Sequence, residues 1–581
     1  MLYPQNNLYR QFTDLSGFWD FRFDPTDQGL EQGWSHGFDD SRPIAVPASW
    51  NDQFEDGRDF LGPAWYQTHF HLPWGFNLKR LFLRFNSVNY LAQVWLNGNL
   101  LGGHEGGHLP FEFEITGKIH PADNLLVVRV DGSLSFDRVP PGNVTGDPYD
   151  FFGSHDKNFP QTNFDFFPFC GIQRPVLLYA IPECSIQNLT VRTGLDGPTG
   201  IVSVAVQTQN CDFANLILSL RGHGQELTAT AHRVDQTTTL ELLVPNAALW
   251  EPAAPNLYGL TVQLFYKGEL VDVYALPIGI RTIKIEGSRL LLNGKPFYLK
   301  GFCRHEDFPI SGRGYQPVVL VKDFALMQWS GANSFRTSHY PYSEQTMHLS
   351  DRLGLLVIDE IPAVGLYFRE DGLQRRLGVC QQYLNELIDR DKNHPSVLMW
   401  SIANEPLSLR PEAKPFFKAL YDQAKALDPT RPVTLVSSVG IAEESLEFLD
   451  VACLNRYYGW YDHSGRIEEG LRNLSIELDA LYERYHKPII LSEFGADTLP
   501  GVHAQPPEMF SEEYQVEFLT SYIELLRSKP YVIGEHVWVM CDFKTSQGVL
   551  RMGGINYKGV FIRDRRPKMA AHSLRKLWLE K

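Results

Sequence analysis

The sequence predicts a three-domain protein in which two β-sandwiches precede a C-terminal (β/α)8 barrel. At 581 residues, the chain is too long for one hydrophobic core. Up to about residue 280, short strands are separated by turn residues, which is typical of β-sandwiches. From about residue 281 onward, short apolar strands alternate with amphipathic helical patterns, which is typical of a barrel of parallel strands.

The first predicted domain, residues 1–182, is a jelly-roll-like β-sandwich. Trp19–Phe23 alternates apolar and polar side chains, which is the period of a half-buried strand. Asn97-Gly98 follows the apolar run Val94–Leu96 and predicts a tight hairpin turn. Both features favour an antiparallel sheet with one face in a core.

The second predicted domain, residues 183–280, has the size and strand spacing of an immunoglobulin-like sandwich, with Ile201–Val206 as one strand. The third, residues 281–581, is the predicted barrel, with helices at Gln381–Asp391 and Glu412–Leu427. Its predicted strands are Asn333–Arg336, Leu355–Ile358, Val397–Trp400, Val433–Val436, Val451–Leu454, Ile489–Leu491 and Val537–Val539.

Composition and charge exclude several classes of function. The formal net charge of −15 argues against binding to a nucleic-acid backbone. No apolar stretch is long enough to span a membrane, and Met1–Asn7 has no secretory signal pattern, so we expect a cytoplasmic protein. The seven scattered cysteines predict reduced, buried thiols, with neither a disulfide framework nor a zinc site. We find no phosphate loop or dinucleotide fingerprint and expect no cofactor.

Polar side chains follow several of the predicted barrel strands. In a (β/α)8 barrel the carboxyl ends of the strands meet at one face, where catalytic groups lie. The sequence therefore predicts an active site there, built from strand-end residues that include carboxylates, amides, a histidine and tyrosines. These residues are Arg336–His339, Asp359-Glu360, Asn404-Glu405, Asn455–Tyr458 and Glu493.

Two of these carboxylates suit the cleavage of a glycosidic bond. Glu405 ends the predicted fourth strand and Glu493 ends the seventh. The reaction needs a proton for the leaving oxygen and a group that stabilises positive charge at the sugar carbon. When two carboxyl groups lie about 5 Å apart, the second attacks the sugar and configuration is retained. Asn404, directly before Glu405, is placed to hold a sugar hydroxyl.

At these motifs the chain resembles the β-glucuronidases of glycoside hydrolase family 2, almost from end to end. The resemblance implies a sugar-binding sandwich, an immunoglobulin-like domain and a catalytic barrel, in that order. Its most specific motifs are Gly301–Asp307, Arg336–Tyr342, Asn393–Ser396, Leu454–Tyr461 and Thr545–Gly548.

The resemblance implies a role for each matching residue. Glu405 matches the acid/base and Glu493 the nucleophile, with Tyr457 as a tyrosine beside the nucleophile. The residues that match sugar contacts are Asn404, Asn455, His339, Trp538 and Asp165, the last lent to the barrel by the sandwich domain.

A uronic acid carries a carboxylate where a neutral sugar has a hydroxymethyl group, so its site needs cations and donors. Charge-assisted hydrogen bonds contribute about 1.5–3 kcal/mol each. Asn556 and Lys558, separated by one residue, resemble the family's carboxylate-binding element, and Arg551 and Tyr461 match residues that line this pocket. The expected substrate is a β-D-glucuronide, cleaved by an exo-acting, retaining enzyme through a covalent glycosyl-enzyme. The family also implies a homo-oligomer, either a dimer or a tetramer.

The chain departs from the family pattern at several positions. Ile555 is an extra residue before the carboxylate-binding element, and Val364–Asp389, in which Tyr367–Glu370 lies near the start, is shorter than in familiar bacterial members. Val539–Cys541 also differs. A β-galacturonidase would keep the Asn556 and Lys558 element and is the main alternative. A β-galactosidase or β-mannosidase has no use for that element, and a non-catalytic carbohydrate-binding protein has no use for both glutamates.

Overall fold

The computed structural model describes residues 1–76, 79–142, 156–162, 164–234, 236–368 and 372–580. Arg369 and Glu370, which belong to the shortened segment noted above, lie outside these residues. The order of domains is the predicted one: two β-sandwiches and then a barrel. The limits 1–182, 183–280 and 281–581 are kept as a proposal.

The first domain packs two antiparallel sheets around an aromatic and aliphatic core that includes Trp50, Tyr66 and Phe85. One sheet contains, in spatial order, Gln11–Asp14, Val176–Ile181, Arg80–Phe85 and Phe111–Glu114. The other contains Arg42–Val46, Gly17–Phe23, Pro63–Phe70, Asn124–Asp131, Leu91–Leu96 and Asn99–Glu105. The predicted hairpin turn at Asn97-Gly98 joins the last two strands, and both residues have positive φ.

The second domain is a smaller sandwich with its own apolar core. One sheet contains Ser185–Asp196, Thr199–Gln209 and Thr237–Val244. The other contains Gln225–Val234, Ala214–Gly222, Tyr258–Tyr266 and Glu269–Ile278.

This domain contains a disulfide between Cys184 and Cys211, so the prediction of reduced thiols without disulfides is wrong for this pair. The physical reason is the hairpin that carries them. Ser185 pairs with Gln209 at its open end, which brings the two flanking cysteines together. Their separation of 27 residues, in a chain with an odd number of cysteines, gave no local signal.

The barrel is closed, within the described residues, by eight parallel strands that we label β1 to β8. They are β1 Leu299–Cys303, β2 Ser334–Arg336, β3 Leu356–Glu360, β4 Val397–Asn404, β5 Val433–Ser437, β6 Val451–Asn455, β7 Ile489–Glu493 and β8 Val532–Val537. The α-helices of this domain are Pro317–Ser330, Glu344–Leu353, Leu373–Asp391, Ala413–Leu427, Ile467–Tyr485, Glu512–Arg527 and Met569–Leu579. Across the described ranges, no helix is long and apolar enough to cross a bilayer.

Two strands differ from the prediction. β1 adds to the seven predicted strands, and the eighth strand is Val532–Val537, not Val537–Val539. Glu535 and His536 interrupt the apolar pattern of β8, although both side chains are buried. Trp578 Nε1 donates to Glu535, and His536 Nε2 forms a hydrogen bond with Ser334, so both side chains have a hydrogen-bond partner in the barrel wall. Trp538 therefore follows the strand.

Buried ion pairs hold the first sandwich against the mouth of the barrel. Arg84 donates from Nη2 to both carboxylate oxygens of Glu344, at 2.8 and 3.0 Å. Arg174 donates to Glu306 at 3.0 Å and to the carbonyl oxygen of Pro341 at 2.8 Å. These contacts fix the loop of the sandwich that carries Asp165 over the carboxyl ends of the strands.

Candidate active site

The two predicted catalytic carboxyls lie at the mouth of the barrel, as the strand-end argument requires. Glu405 directly follows β4, and Glu493 is the last residue of β7. The backbone of Glu405 turns sharply there, with φ of 43°, in the left-handed region that side chains with a Cβ rarely adopt. Its amide nitrogen donates to the carbonyl oxygen of Val436 on β5, which secures this turn.

Glu493 is buried and receives two strong hydrogen bonds. Arg336 Nη2, at the end of β2, donates to Oε1 at 2.9 Å. The Tyr457 hydroxyl donates to Oε2 at 2.7 Å. Burial raises the pKa of that hydroxyl well above its usual value, so Tyr457 stays a proton donor. Both donors favour the ionised form of Glu493.

Glu405 has a different set of neighbours. Asn455 Nδ2 donates to its Oε1 at 2.8 Å and also to Asn404 Oδ1 at 3.1 Å. Asn404 Oδ1 in turn accepts from Arg336 Nη2 at 2.9 Å. A continuous chain of polar contacts therefore connects the two glutamates, and the donor that bonds Glu405 is a neutral amide.

The two carboxyls share their titration. Burial raises the pKa of Glu493 to about 8, with Arg336 opposing the rise and Glu405 adding to it. Burial also raises the pKa of Glu405, against the hydrogen bond from Asn455. Neither carboxyl ionises easily beside a charged partner, so the pair holds one proton near neutral pH. Arg336 donates to Glu493, whereas Glu405 receives a hydrogen bond from the neutral amide of Asn455. The negative charge of the pair therefore lies on Glu493 and the proton on Glu405.

His339 and Trp538 form one wall of the site. Their rings stack with centroids 5.1 Å apart and planes 17° apart. His339 Nδ1 lies 2.9 Å from Glu360 Oε1, and Nε2 lies 3.6 Å from Glu493 Oε1. Burial lowers the pKa of His339, so the imidazole is neutral. The structure thus brings both predicted sugar contacts next to the carboxyl pair.

The predicted carboxylate pocket is also assembled. Lys558 forms an ion pair with Asp497, and its Nζ donates to the Tyr461 hydroxyl at 2.9 Å. Arg551 donates to both oxygens of Asp165, at 2.6 and 2.9 Å, and to the same Tyr461 hydroxyl at 3.0 Å.

Asn556 completes this group of residues. Its Nδ2 donates to Asp165 Oδ2 at 2.5 Å, and its Oδ1 accepts from the backbone nitrogen of Lys558 at 3.0 Å. Burial opposes the charge of Arg551, but Asp165 more than offsets this and raises the pKa of Arg551. Two cations and two carboxylates therefore lie within one hydrogen-bonded network.

The extra residue Ile555 does not remove Lys558 from the pocket. Ile555–Asn556 forms a short strand that pairs with Phe543–Lys544. Gly553 and Gly554, both with positive φ, form the turn before it. Lys558 is 1% exposed, and its ammonium lies 4.7 Å from the centre of the Tyr461 ring. The extra residue Ile555 is thus accommodated within the short strand pair, and Lys558 keeps its place in the pocket.

Three residues of the site have no individual role in the sequence analysis. Arg336 and Glu360 are among the residues predicted to follow barrel strands, but the sequence did not predict which side chains they contact. Arg336 is fully buried and bonds Glu493, and Asp497 forms an ion pair with Lys558. A buried charge at the carboxyl end of the strand Ser334–Arg336 was the available signal for Arg336, whereas Asp497 had none.

Comparison with known proteins agrees with this architecture. Three models of glycosyl hydrolases family 2 match the chain. The sugar binding domain matches residues 12–182, the TIM barrel domain matches residues 283–580, and a third model of the family matches residues 184–281 between them. The chain belongs to glycoside hydrolase family 2.

Several proteins that this chain is similar to are β-glucuronidases. The chain is 41% identical to the β-glucuronidase of Paenibacillus borealis, covering 100% of this chain and 99% of the relative. It is also 41% identical to that of Sus scrofa, covering 99% and 91%. The crystal structure of Ruminococcus gnavus β-glucuronidase superimposes with a TM-score of 0.94 at 37% identity, covering 100% of this chain and 98% of that one.

Proposed function

We propose that this chain is an exo-acting, retaining β-glucuronidase that hydrolyses β-D-glucuronides by double displacement. The observation that carries the proposal is the pair Glu405 and Glu493, with Arg336 and Tyr457 bonded to Glu493, beside a pocket that contains Lys558. The two glutamates provide the acid and the nucleophile for bond cleavage, and the cations and donors of the pocket suit the carboxylate of a uronic acid.

In the first step, the Glu493 carboxylate attacks the anomeric carbon while Glu405 donates its proton to the leaving oxygen. The bond between sugar and aglycone breaks, and a covalent glycosyl-enzyme forms. In the second step, Glu405, now ionised, takes a proton from water, whose oxygen attacks the same carbon and releases Glu493. Two inversions give net retention. Arg336 and Tyr457 hold the carboxylate in its ionised form before attack and stabilise it again on release.

The substrate carboxylate is assigned to the pocket of Tyr461, Arg551, Asn556 and Lys558. The Tyr461 hydroxyl accepts from both Lys558 and Arg551, so its own proton is free to point at an anion. Each charge-assisted bond is worth about 1.5–3 kcal/mol, enough for two of them to favour a uronate over a neutral sugar by orders of magnitude. Asp165 and Arg551 bond across one side of this pocket, which supports exo action on a terminal residue.

A solved relative supports the choice of sugar. The Ruminococcus gnavus β-glucuronidase in complex with D-glucuronic acid is 37% identical to this chain, with a TM-score of 0.93. That relative binds D-glucuronic acid. We extend this ligand class to the present chain on the strength of the cationic pocket.

Initial rates on four aryl β-glycosides test the proposal directly. We expect the glucuronide to be hydrolysed fastest, the galactoside and mannoside to be poor substrates, and the β-anomer to appear first by NMR. A faster rate on the galacturonide would transfer the assignment to the main alternative, and an α-anomer would contradict the role of Glu493.

Two further parts of the proposal concern the protein in solution. We propose a homo-oligomer, either a dimer or a tetramer, which light scattering of the purified protein tests. We also propose a cytoplasmic location, which the five free cysteines support and the disulfide between Cys184 and Cys211 opposes, and which fractionation of expressing cells tests.

A further inference from the structure

We propose that Glu360 is a positioning residue that sets the orientation and charge of the nucleophile Glu493 by acting through Arg336 and His339. This inference rests on the proposed function. Glu360 is the last residue of β3 and is 0% exposed, so it does not reach the substrate itself. Its carboxylate nevertheless contacts two groups that face Glu493.

The first contact fixes the guanidinium of Arg336. Arg336 Nε lies 3.1 Å from Glu360 Oε2 in an ion pair, and Nη2 of the same planar group donates to Glu360 Oε1 at 3.4 Å and to Glu493 at 2.9 Å. A guanidinium is rigid and planar, so the two contacts with Glu360 restrict where Nη2 points. Glu360 thereby aims the donor that holds the nucleophile.

The second contact fixes the proton of His339. Nδ1 lies 2.9 Å from both Glu360 Oε1 and Arg336 Nη2. Nδ1 of a neutral imidazole either accepts from Arg336 or donates to Glu360. Arg336 Nη2 already donates to Glu493 and Asn404, whereas an ionised Glu360 can only accept, so the proton belongs on Nδ1, facing Glu360. Nε2 is then an acceptor directed at the site, suited to a sugar hydroxyl.

Glu360 is ionised although no solvent reaches it. Burial opposes its charge, but Arg336 and His339 more than offset this and lower the pKa of Glu360. The Ser401 hydroxyl donates to its Oε2 at 2.6 Å and adds to the effect. Arg336 is therefore shared between the carboxylates of Glu360 and Glu493. Each carboxylate weakens the interaction of Arg336 with the other one.

The groups that surround this arrangement are all defined. Arg336, Tyr457, His339 and Glu405 face Glu493. The Cys303 thiol also lies 3.6 Å from Arg336 Nη1, but burial raises the pKa of this thiol to about 12, so it carries no charge near neutral pH. Removal of the charge of Glu360 leaves Glu493 as the carboxylate partner of Arg336 within the site.

The test is Glu360→Gln, assayed on an aryl β-glucuronide over the full pH range. We expect kcat to fall about 10- to 100-fold, the range found when a residue that orients a metal-binding histidine is replaced. We also expect the pH profile of kcat/KM to move to lower pH, because Arg336 then stabilises the ionised form of Glu493 more strongly. Glu360→Asp keeps the charge and should restore the position of the profile.

Glu535→Gln is the matched control. Glu535 is also a fully buried barrel carboxylate that accepts from an arginine, Arg527, at 2.8 Å, but Tyr298 and Trp578 are its other partners and none of them is in the site. This variant should leave the pH profile unchanged. Equal losses in both glutamine variants, without a shift in either profile, would mean that Glu360 is merely structural and would overturn the inference.

Ser401→Ala provides a milder second variant in case Glu360→Gln does not fold. Without this donor, the Glu360 carboxylate has one hydrogen bond fewer. Arg336 then interacts more strongly with Glu360 and less strongly with Glu493. The profile should then move to higher pH, and an unchanged profile contradicts the inference. If the wild type does not cleave the glucuronide, the proposed function itself fails. If the wild type cleaves it and the Glu360 variants behave like the control, only this inference fails.

Discussion

The carboxyl pair and the carboxylate pocket share one barrel mouth but are built in different ways. Glu405 and Glu493 stand at the ends of barrel strands, and the chain of bonds that joins them comes from β2, β4 and β6. The pocket instead joins a loop of the first sandwich, which carries Asp165, to the segment after β8, which carries Arg551 and Lys558. Asp165 and Arg551 keep some exposure, whereas Arg336 has none.

On the proposed function, this difference separates bond cleavage from the choice of sugar. Residues on strands are held by the closed barrel, which suits a reaction that tolerates little movement of its nucleophile. Loops from two domains can change sequence without disturbing the strands. We therefore expect substitutions at the pair to affect every substrate, and substitutions in the pocket to affect uronates selectively.

The largest effect is expected from Glu493→Ala. Turnover should be abolished, because Glu405 is needed as the acid/base and cannot also form the covalent intermediate. Added azide should restore part of the rate, since it fits the space of the lost carboxylate and attacks the sugar directly. The product to detect by NMR is the α-glycosyl azide, and full hydrolytic activity in this variant would show that the nucleophile lies elsewhere.

Glu405→Ala should have the next largest effect, and it should depend on the leaving group. Substrates with poor leaving groups need the proton and should slow by about 100- to 10,000-fold, whereas activated aryl glucuronides should slow far less. A series of aryl glucuronides with different phenol pKa values measures this dependence. An equal loss across the series would contradict the acid role.

Lys558→Ala should produce a smaller and selective change. The value of kcat/KM for the glucuronide should fall by at least about tenfold, which corresponds to roughly 1.4 kcal/mol. Activity on the matching β-glucoside should hold or rise, because a neutral sugar gains nothing from the ammonium. An equal loss of both activities would make Lys558 structural, and loss of neither would direct attention to Arg551.

The smallest effect concerns the pH dependence of Glu405→Gln. In the wild type, activity needs one proton on the pair, so it should decline at alkaline pH, once the pair loses this proton; burial raises the pKa of both carboxyls and moves the decline upward. In the variant only Glu493 titrates, and its pKa falls because the charge of Glu405 no longer opposes ionisation. Rates on an activated aryl glucuronide should rise with pH and then stay level. Retention of the alkaline decline would show that another group causes it.

The sequence predicted the fold and the members of the site better than it predicted their contacts. Glu405 and Glu493 were identifiable because each ends an apolar strand, and strand ends converge in a barrel. The contact of Arg336 with Glu493 could not be predicted, because the two residues are 157 positions apart in the sequence and only the closed barrel brings them together. β8 was misplaced since Glu535 is polar but buried, which periodicity alone reads as the end of a strand.

The left-handed backbone of Glu405 has a consequence for natural selection on this position. A residue with a Cβ in that region costs about 1–2 kcal/mol relative to an ordinary helical conformation, and glycine avoids this penalty. Folding alone would therefore favour glycine at position 405, at the expense of the acid. The protein gives up a small part of its stability to keep a carboxyl at this position. A Glu405→Gly protein should lose activity as Glu405→Ala does, most of all on substrates with poor leaving groups, and should unfold at a temperature at least as high as Glu405→Ala.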